Sequence, residues 1–210
     1  MFWNSHEKDA YPGYPLLPPP LRCGAILTVE PGEILRFADL DLAVALPGGE
    51  LITDAVSSLE ALGLRIARAY AREGDEDVMF QFNQQADGTI LDINFFRLIQ
   101  PIYPQSPEDW DIWLGDNGLI GGPDVNAPNG RAYTRDWGDG LHAQPVEVTE
   151  NVFNNKTAPP IAVKHKMMLY SRELAQDREY LLLSADEENG QALVRAWAGV
   201  SINAQALKVY

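Results

Sequence analysis

Near the middle of the chain two β-rich runs flank an Asp-Gly turn, and this pattern constrains the fold more than any other feature. Val78-Met79-Phe80-Gln81-Phe82 puts Val78, Phe80 and Phe82 on one strand face, because successive side chains of a strand point to opposite sides. Ala86-Asp87-Gly88 leads into a second run over residues 89–96, and Asp-Gly between two such runs marks a hairpin. Comparable short runs occupy residues 26–29, 34–37 and 42–46, separated by Pro31-Gly32 and Asp39-Leu40-Asp41 and closed by Pro47-Gly48-Gly49. Residues 131–137, 146–152, 167–174, 180–184 and 192–202 complete the set, and the last three read as an antiparallel meander. A parallel sheet would need regular strand–helix alternation. The expected class is therefore α+β, predominantly antiparallel β-sheet with one or two short helices.

One helix is marked by its start. Ser106 can accept a first-turn N–H, Pro107 suits the first helical position, and Glu108 with Asp109 suits the positive helix end. Trp110, Trp113 and Leu114 then share one side and are expected to dock this helix on a sheet. Residues 50–73 read two ways. Ile52, Val56, Leu59, Leu62, Ile66 and Tyr70 fall at helical spacing, whereas Gly63 and the strand that follows favour two strands. Residues 115–130 read as loop.

Residues 1–20 form an irregular leader rich in proline and aromatic residues, with Phe2, Trp3, Tyr11 and Tyr14 available to pin it to the body. Residues 21–210 are expected to form a single compact mainly-β domain, with a two-half arrangement broken near 100–105 as the alternative. A chain of 210 residues buries roughly 70% of its unfolded surface and needs no staple. The single Cys23 cannot form an internal disulfide, which fits a reducing compartment. No apolar run approaches the ~20 residues needed to span a bilayer, and no signal pattern opens the chain. The expected location is the cytoplasm. The net charge of −14 is spread along the chain, so a phosphate backbone would be repelled and nucleic acid is excluded as a partner.

No phosphate-binding glycine loop, G-x-S-x-G or H-E-x-x-H occurs. His6, His142 and His165 share no motif, and His165 between Lys164 and Lys166 is expected at a solvated strand edge. Cys23 has no neighbour that would activate it. The loop acids Asp109, Asp111, Asp116, Asp124, Asp136 and Asp139 lack calcium-loop spacing and read as turn formers. No metal and no cofactor is expected. The binding candidates are Trp110, Trp113, Tyr133, Arg135 and Trp137, because Trp, Tyr and Arg concentrate energy at interfaces. Arg68, Arg135 and Arg172 each lie beside an aromatic residue and can stack while forking to a carboxylate. Such pairs either merely cover the sheet or, in the functional reading, Arg135 lines a cleft with Trp137 and binds an anionic group.

Several textures together resemble the YjfK-like group of bacterial proteins of unknown function. They are Arg68 and Tyr70 before the acidic turn of Asp75 and Asp77 and the strand of Phe80-Gln81, the Ser106, Trp110, Trp113 helix, and Tyr133, Arg135, Trp137. The runs from Met168 to Leu174 and from Glu179 to Ser184 add to them. The resemblance implies a mainly β cytoplasmic domain without an assigned reaction. It also implies genes beside those for phage-shock-protein-A-like coat proteins and glutathionylspermidine-synthase-like proteins, hence an accessory role in envelope stress. The expected function is a non-enzymatic binding or accessory protein with a protein partner and no direct membrane insertion. The rival is an enzyme or small-ligand binder whose site assembles from distant residues, marked by a pocket joining His142 or His165 to Asp or Glu with perturbed titration.

Overall fold

The computed structural model describes residues 10–128 and 130–210. The chain runs through β1 (Ile26–Val29), α1 (Pro31–Phe37), β2 (Leu51–Ala61), β3 (Leu64–Glu73), β4 (Glu76–Gln84), β5 (Ile90–Ile102) and α2 (Pro107–Leu114). It continues through β6 (Asp124–Asn126), β7 (Ala132–Arg135), β8 (Val146–Phe153), β9 (Ile161–Leu174), β10 (Asp177–Glu188), β11 (Gln191–Ile202) and β12 (Leu207–Val209). The pairing is antiparallel from strand to strand, and the order β2-β3-β4-β5-β11-β10-β9-β8 returns to β2. The result is a closed eight-stranded barrel. Closure removes the exposed edges that an open sheet would present. The β1–β12 ribbon continues from β2 and the β6–β7 ribbon from β9.

Both faces of the wall are buried. Alternate residues of β2 to β5, among them Val56, Ala69, Phe80 and Phe95, point outward beneath residues 21–46. Alternate residues of β9 to β11, among them Tyr170, Leu181 and Val194, point outward beneath α2 and the loops around it. The inward set includes Leu59, Ile66, Met79, Phe96, Met167, Leu182 and Trp197. Two-sided burial explains why these strands look less strictly alternating than half-exposed ones. On β11, Gly199 lies against the Phe95 carbonyl oxygen and the Phe96 ring, where a Cβ would collide.

The β4–β5 hairpin and the β9–β10–β11 meander form as the turn signals predict. Residues 50–73 resolve to the β2–β3 hairpin. Its turn places Leu62 at φ 53 and Gly63 at φ 77, a primed geometry in which leucine gives no signal. A register shift between Thr53 and Ala55 breaks the alternation of β2 and mimics helical spacing. Residues 34–37 belong to α1 and not to a strand: Pro31 occupies the first helical position, where its missing N–H costs nothing, and Glu33 pairs with Arg36 one turn on. Residues 42–46 carry no strand, and residues 115–130 contain the short β6. Of the leader, Tyr11 and Tyr14 pack on Phe153, while Phe2, Trp3 and His6 lie outside the described residues.

Candidate functional site

Strand alternation delivers a group of polar side chains into the barrel. Ser57 of β2 stands opposite Arg68 of β3, His165 of β9 opposite Asp186 of β10, and Ser184 of β10 opposite Arg195 of β11. Glu150 of β8 sits among them with its side chain fully buried. Its Oε1 accepts from Tyr70 at 2.7 Å and from the Ser57 hydroxyl, and its Oε2 accepts from Arg68 Nη1 at 2.8 Å. His165 Nε2 also lies 2.8 Å from Oε2, off the line of a directed N–H bond, so this contact is ionic. His165 Nδ1 meets Asp186 Oδ1 at 2.7 Å, and Asp186 accepts in addition from Ser184 and Arg195. Arg68 completes its fork with Gln81 at 3.0 Å and the Met167 sulfur at 3.7 Å.

An alternating row of charges therefore crosses the barrel: Arg68, Glu150, His165, Asp186, Arg195. Burial alone would push Glu150 up, yet the Arg68 charge and the contacts with His165 and Ser57 hold it well below the usual carboxylate range. Burial would likewise raise Asp186, but His165, Ser184 and Arg195 bring it down. Burial acts to lower His165, and the flanking carboxylates Asp186 and Glu150 overcome it, so His165 titrates above its ordinary value. Burial first, then the Glu150 charge, pushes the Tyr70 phenol far up. The two carboxylates on either side of His165 favour its protonated form.

This row borders a cavity of about 270 Å³ at one barrel mouth, with Met79, Val163, Leu182 and Trp197 as apolar wall and Asp54, Arg72 and Glu188 as rim. An eight-stranded barrel is just wide enough to be filled by side chains or to hold one small ligand, and here the filling stops short of the mouth. The opposite end holds a second cavity of about 350 Å³, bordered by Asn83, Asp92, Asn94, Asp136, Trp137 and Tyr180. A groove of about 540 Å³ runs outside the wall between Trp110 and Leu114 of α2 and Lys164, Lys166 and Glu187.

The sequence-derived candidates are dispersed. Trp110 and Trp113 sit half-buried on α2, whose start is closed by a reciprocal Ser106–Asp109 capping box, and both pack on the outer core. Tyr133 is 1% exposed; its hydroxyl donates to Glu179 at 2.8 Å and Arg172 lies 5.8 Å above its ring. Arg135 spends both terminal nitrogens on the carbonyls of Gly121 and Gly140, clipping a loop in place of an anionic group. Trp137 joins the outer core to the far end of the barrel. Arg68 does fork to a carboxylate, and Tyr70 shares that carboxylate instead of offering its face. Arg172 pairs with Glu179 and lies over Tyr133 rather than Tyr170.

His165 is not a solvated edge residue: it is 7% exposed, because residues 161–174 pair on both sides and carry it inward. Glu150, Asp186, Ser57, Ser184 and Arg195 are the members that sequence reasoning missed. The one legible sign was a charged residue at an inward position of a strand, as with Glu150 between Val148 and Val152. Cys23 donates to the Phe153 carbonyl and burial pushes its thiol up, which leaves it unreactive. Among the described residues no group of three or more His, Cys, Asp or Glu side chains is placed to hold a metal ion, and no helix is long and apolar enough to cross a membrane.

No curated protein and no solved structure matches the chain. A family model described as protein of unknown function (DUF2491) matches residues 1–208, and the chain belongs to that family.

Proposed function

We propose that the protein is a non-enzymatic binding protein that takes a small ligand into the barrel mouth. The observation that carries this reading is the convergence, on one cavity, of an apolar wall with a buried ionisable row whose protonation is shifted. Ligand sites combine these two features, and strongly perturbed titration in a concave site marks function more often than chance. His165, Asp186 and Arg195 orient the ligand; Leu182, Val163 and Trp197 supply contact area.

A second reading has its own observation. The outer groove joins Trp110 to a strand surface, and a protein partner seated there would read the occupancy of the barrel from outside. That arrangement accords with the accessory role in bacterial envelope stress implied by the resemblance to YjfK-like proteins.

The test is a thermal-shift screen of small molecules on the wild type and on Val163→Phe, which fills the mouth from an inward position. A ligand at about a hundred times its Kd stabilises the native state by about 2.7 kcal/mol. Compounds should raise the Tm of the wild type and leave a folded Val163→Phe unmoved. Equal shifts in both proteins would remove the barrel mouth as the site.

A further inference from the structure

Donors and acceptors at the barrel mouth do not balance. Each carboxylate oxygen of the buried row is engaged: Glu150 Oε1 by Ser57 and Tyr70, Oε2 by Arg68 and His165, Asp186 Oδ1 by Ser184 and His165, and Oδ2 by Arg195. The donors are not used up. Arg195 gives only Nη1 to Asp186, so its Nε and Nη2 have no protein acceptor. Arg68 Nη2 meets only the Met167 thioether, a weak acceptor, at 3.7 Å. His165 Nε2 meets Glu150 Oε2 at 2.8 Å only as an ionic contact and makes no directed hydrogen bond. All three residues line the cavity, and His165 and Arg68 are 7% and 3% exposed. Of these groups only His165 Nε2 is buried without a directed partner, whereas Arg195, with 26% of its side chain exposed, holds its spare donors at the open edge of the cavity, so a ligand that displaces water there should bring acceptors.

Charge points the same way. With His165 protonated, the row holds three cations (Arg68, His165, Arg195) against two carboxylates (Glu150, Asp186), a surplus of one positive charge. Singly charged acceptors match that surplus, whereas a doubly charged oxyanion would overshoot it. At the rim Arg72 pairs with Asp77, while exposed Asp54 and half-buried Glu188 add negative charge, so the positive surplus is confined to the row itself. The chain's net charge of −14 repels anions at a distance, so attraction must be local.

Resting on the binding site proposed above, we infer that its ligand is a small monocarboxylate with an apolar body, the carboxylate accepting from Arg195, Arg68 and His165 and the body lying against Leu182 and Trp197. Full-length protein titrated calorimetrically at about pH 6 with hexanoate, hexylamine and hexanol tests this. Hexanoate should bind at least about tenfold more tightly than either analogue, the scale of a lost charge-assisted hydrogen bond. Arg195→Gln should weaken hexanoate by about tenfold or more and leave hexanol unchanged. Arg195→Lys, which keeps a cation beside Asp186, should shift hexanoate in the same direction and serves if Arg195→Gln does not fold. Hexylamine or hexanol binding as tightly as hexanoate, and lost in Val163→Phe, would overturn the carboxylate class and keep the site. No binding of any of the three would overturn both.

Discussion

Glu150 is the residue on which the barrel interior turns. Its side chain is fully buried, yet it collects contacts from β2, β3 and β9 at once. A buried ion pair gains little net stability over a well-packed apolar core, but removing one partner strands the other charge. Glu150→Gln keeps the shape and deletes the charge opposite Arg68 and His165. The expected loss is about 3 to 5 kcal/mol in chemical denaturation, and Arg68→Met introduced with it should recover part of that loss. An unchanged midpoint in Glu150→Gln would mean that the row is not what holds these strands. Sequence reasoning found Arg68 as a forking arginine but not its acceptor, because Glu150 lies eighty-two positions away and pairing across a barrel leaves no trace in spacing.

At the scale of elements, the row ties together strands whose backbone pairing is unequal. β8 contributes three register pairs to β2 but seven to β9, so the β2–β8 seam closes the barrel with the shortest ladder in the ring. Side chains reinforce it: Glu150 of β8 reaches Ser57 of β2 and Arg68 and Tyr70 of β3. Facing His165 are Glu150 from β8 and Asp186 with Ser184 from β10, with Arg68 of β3 and Arg195 of β11 one contact further out. The signs of the shifts define a pH window. Glu150 and Asp186 are lowered, so their contribution is present above the ordinary carboxylate range and lost only as pH falls well below it. His165 is raised, so its contribution is full below its ordinary value of 6.5 and lost as pH rises through the higher folded value. Stability should therefore decline as pH is raised from about 6 into the mildly alkaline range, and His165→Gln should flatten that slope. A wild-type slope that persists in the variant would assign the decline to another group. The capped α2 and the β4–β5 hairpin were legible because each is written in adjacent residues, Ser106-Pro107-Glu108-Asp109 and Asp87-Gly88. The β2–β3 hairpin was legible only as one of two readings, since its turn uses Leu62 at positive φ and its strands are buried on both faces.

For the whole molecule, predominantly antiparallel sheet was readable from turn spacing, but closure was not. Closure depends on β8 meeting β2 across about ninety residues, and on β5 meeting β11, pairings that no local pattern specifies. The same non-locality hid the site, because its members come from β2, β3, β8, β9, β10 and β11 and converge only once the ring is shut. The outward aromatic residues drew attention in the sequence through their size, and they serve chiefly to seal the outer layers: Tyr133 on Glu179, and Trp113 in the core beneath α2. The proposed ligand site is the barrel mouth beside His165. Backbone amide shifts followed by NMR during a hexanoate titration test it most directly. The largest changes should fall on β3 near Tyr70, on β9 near His165, and on β10 and β11 around Asp186 and Arg195. Changes centred on Trp110, Leu114 and Lys166 outside the wall, or on Asn83, Asp92 and Trp137 at the far end, would contradict it.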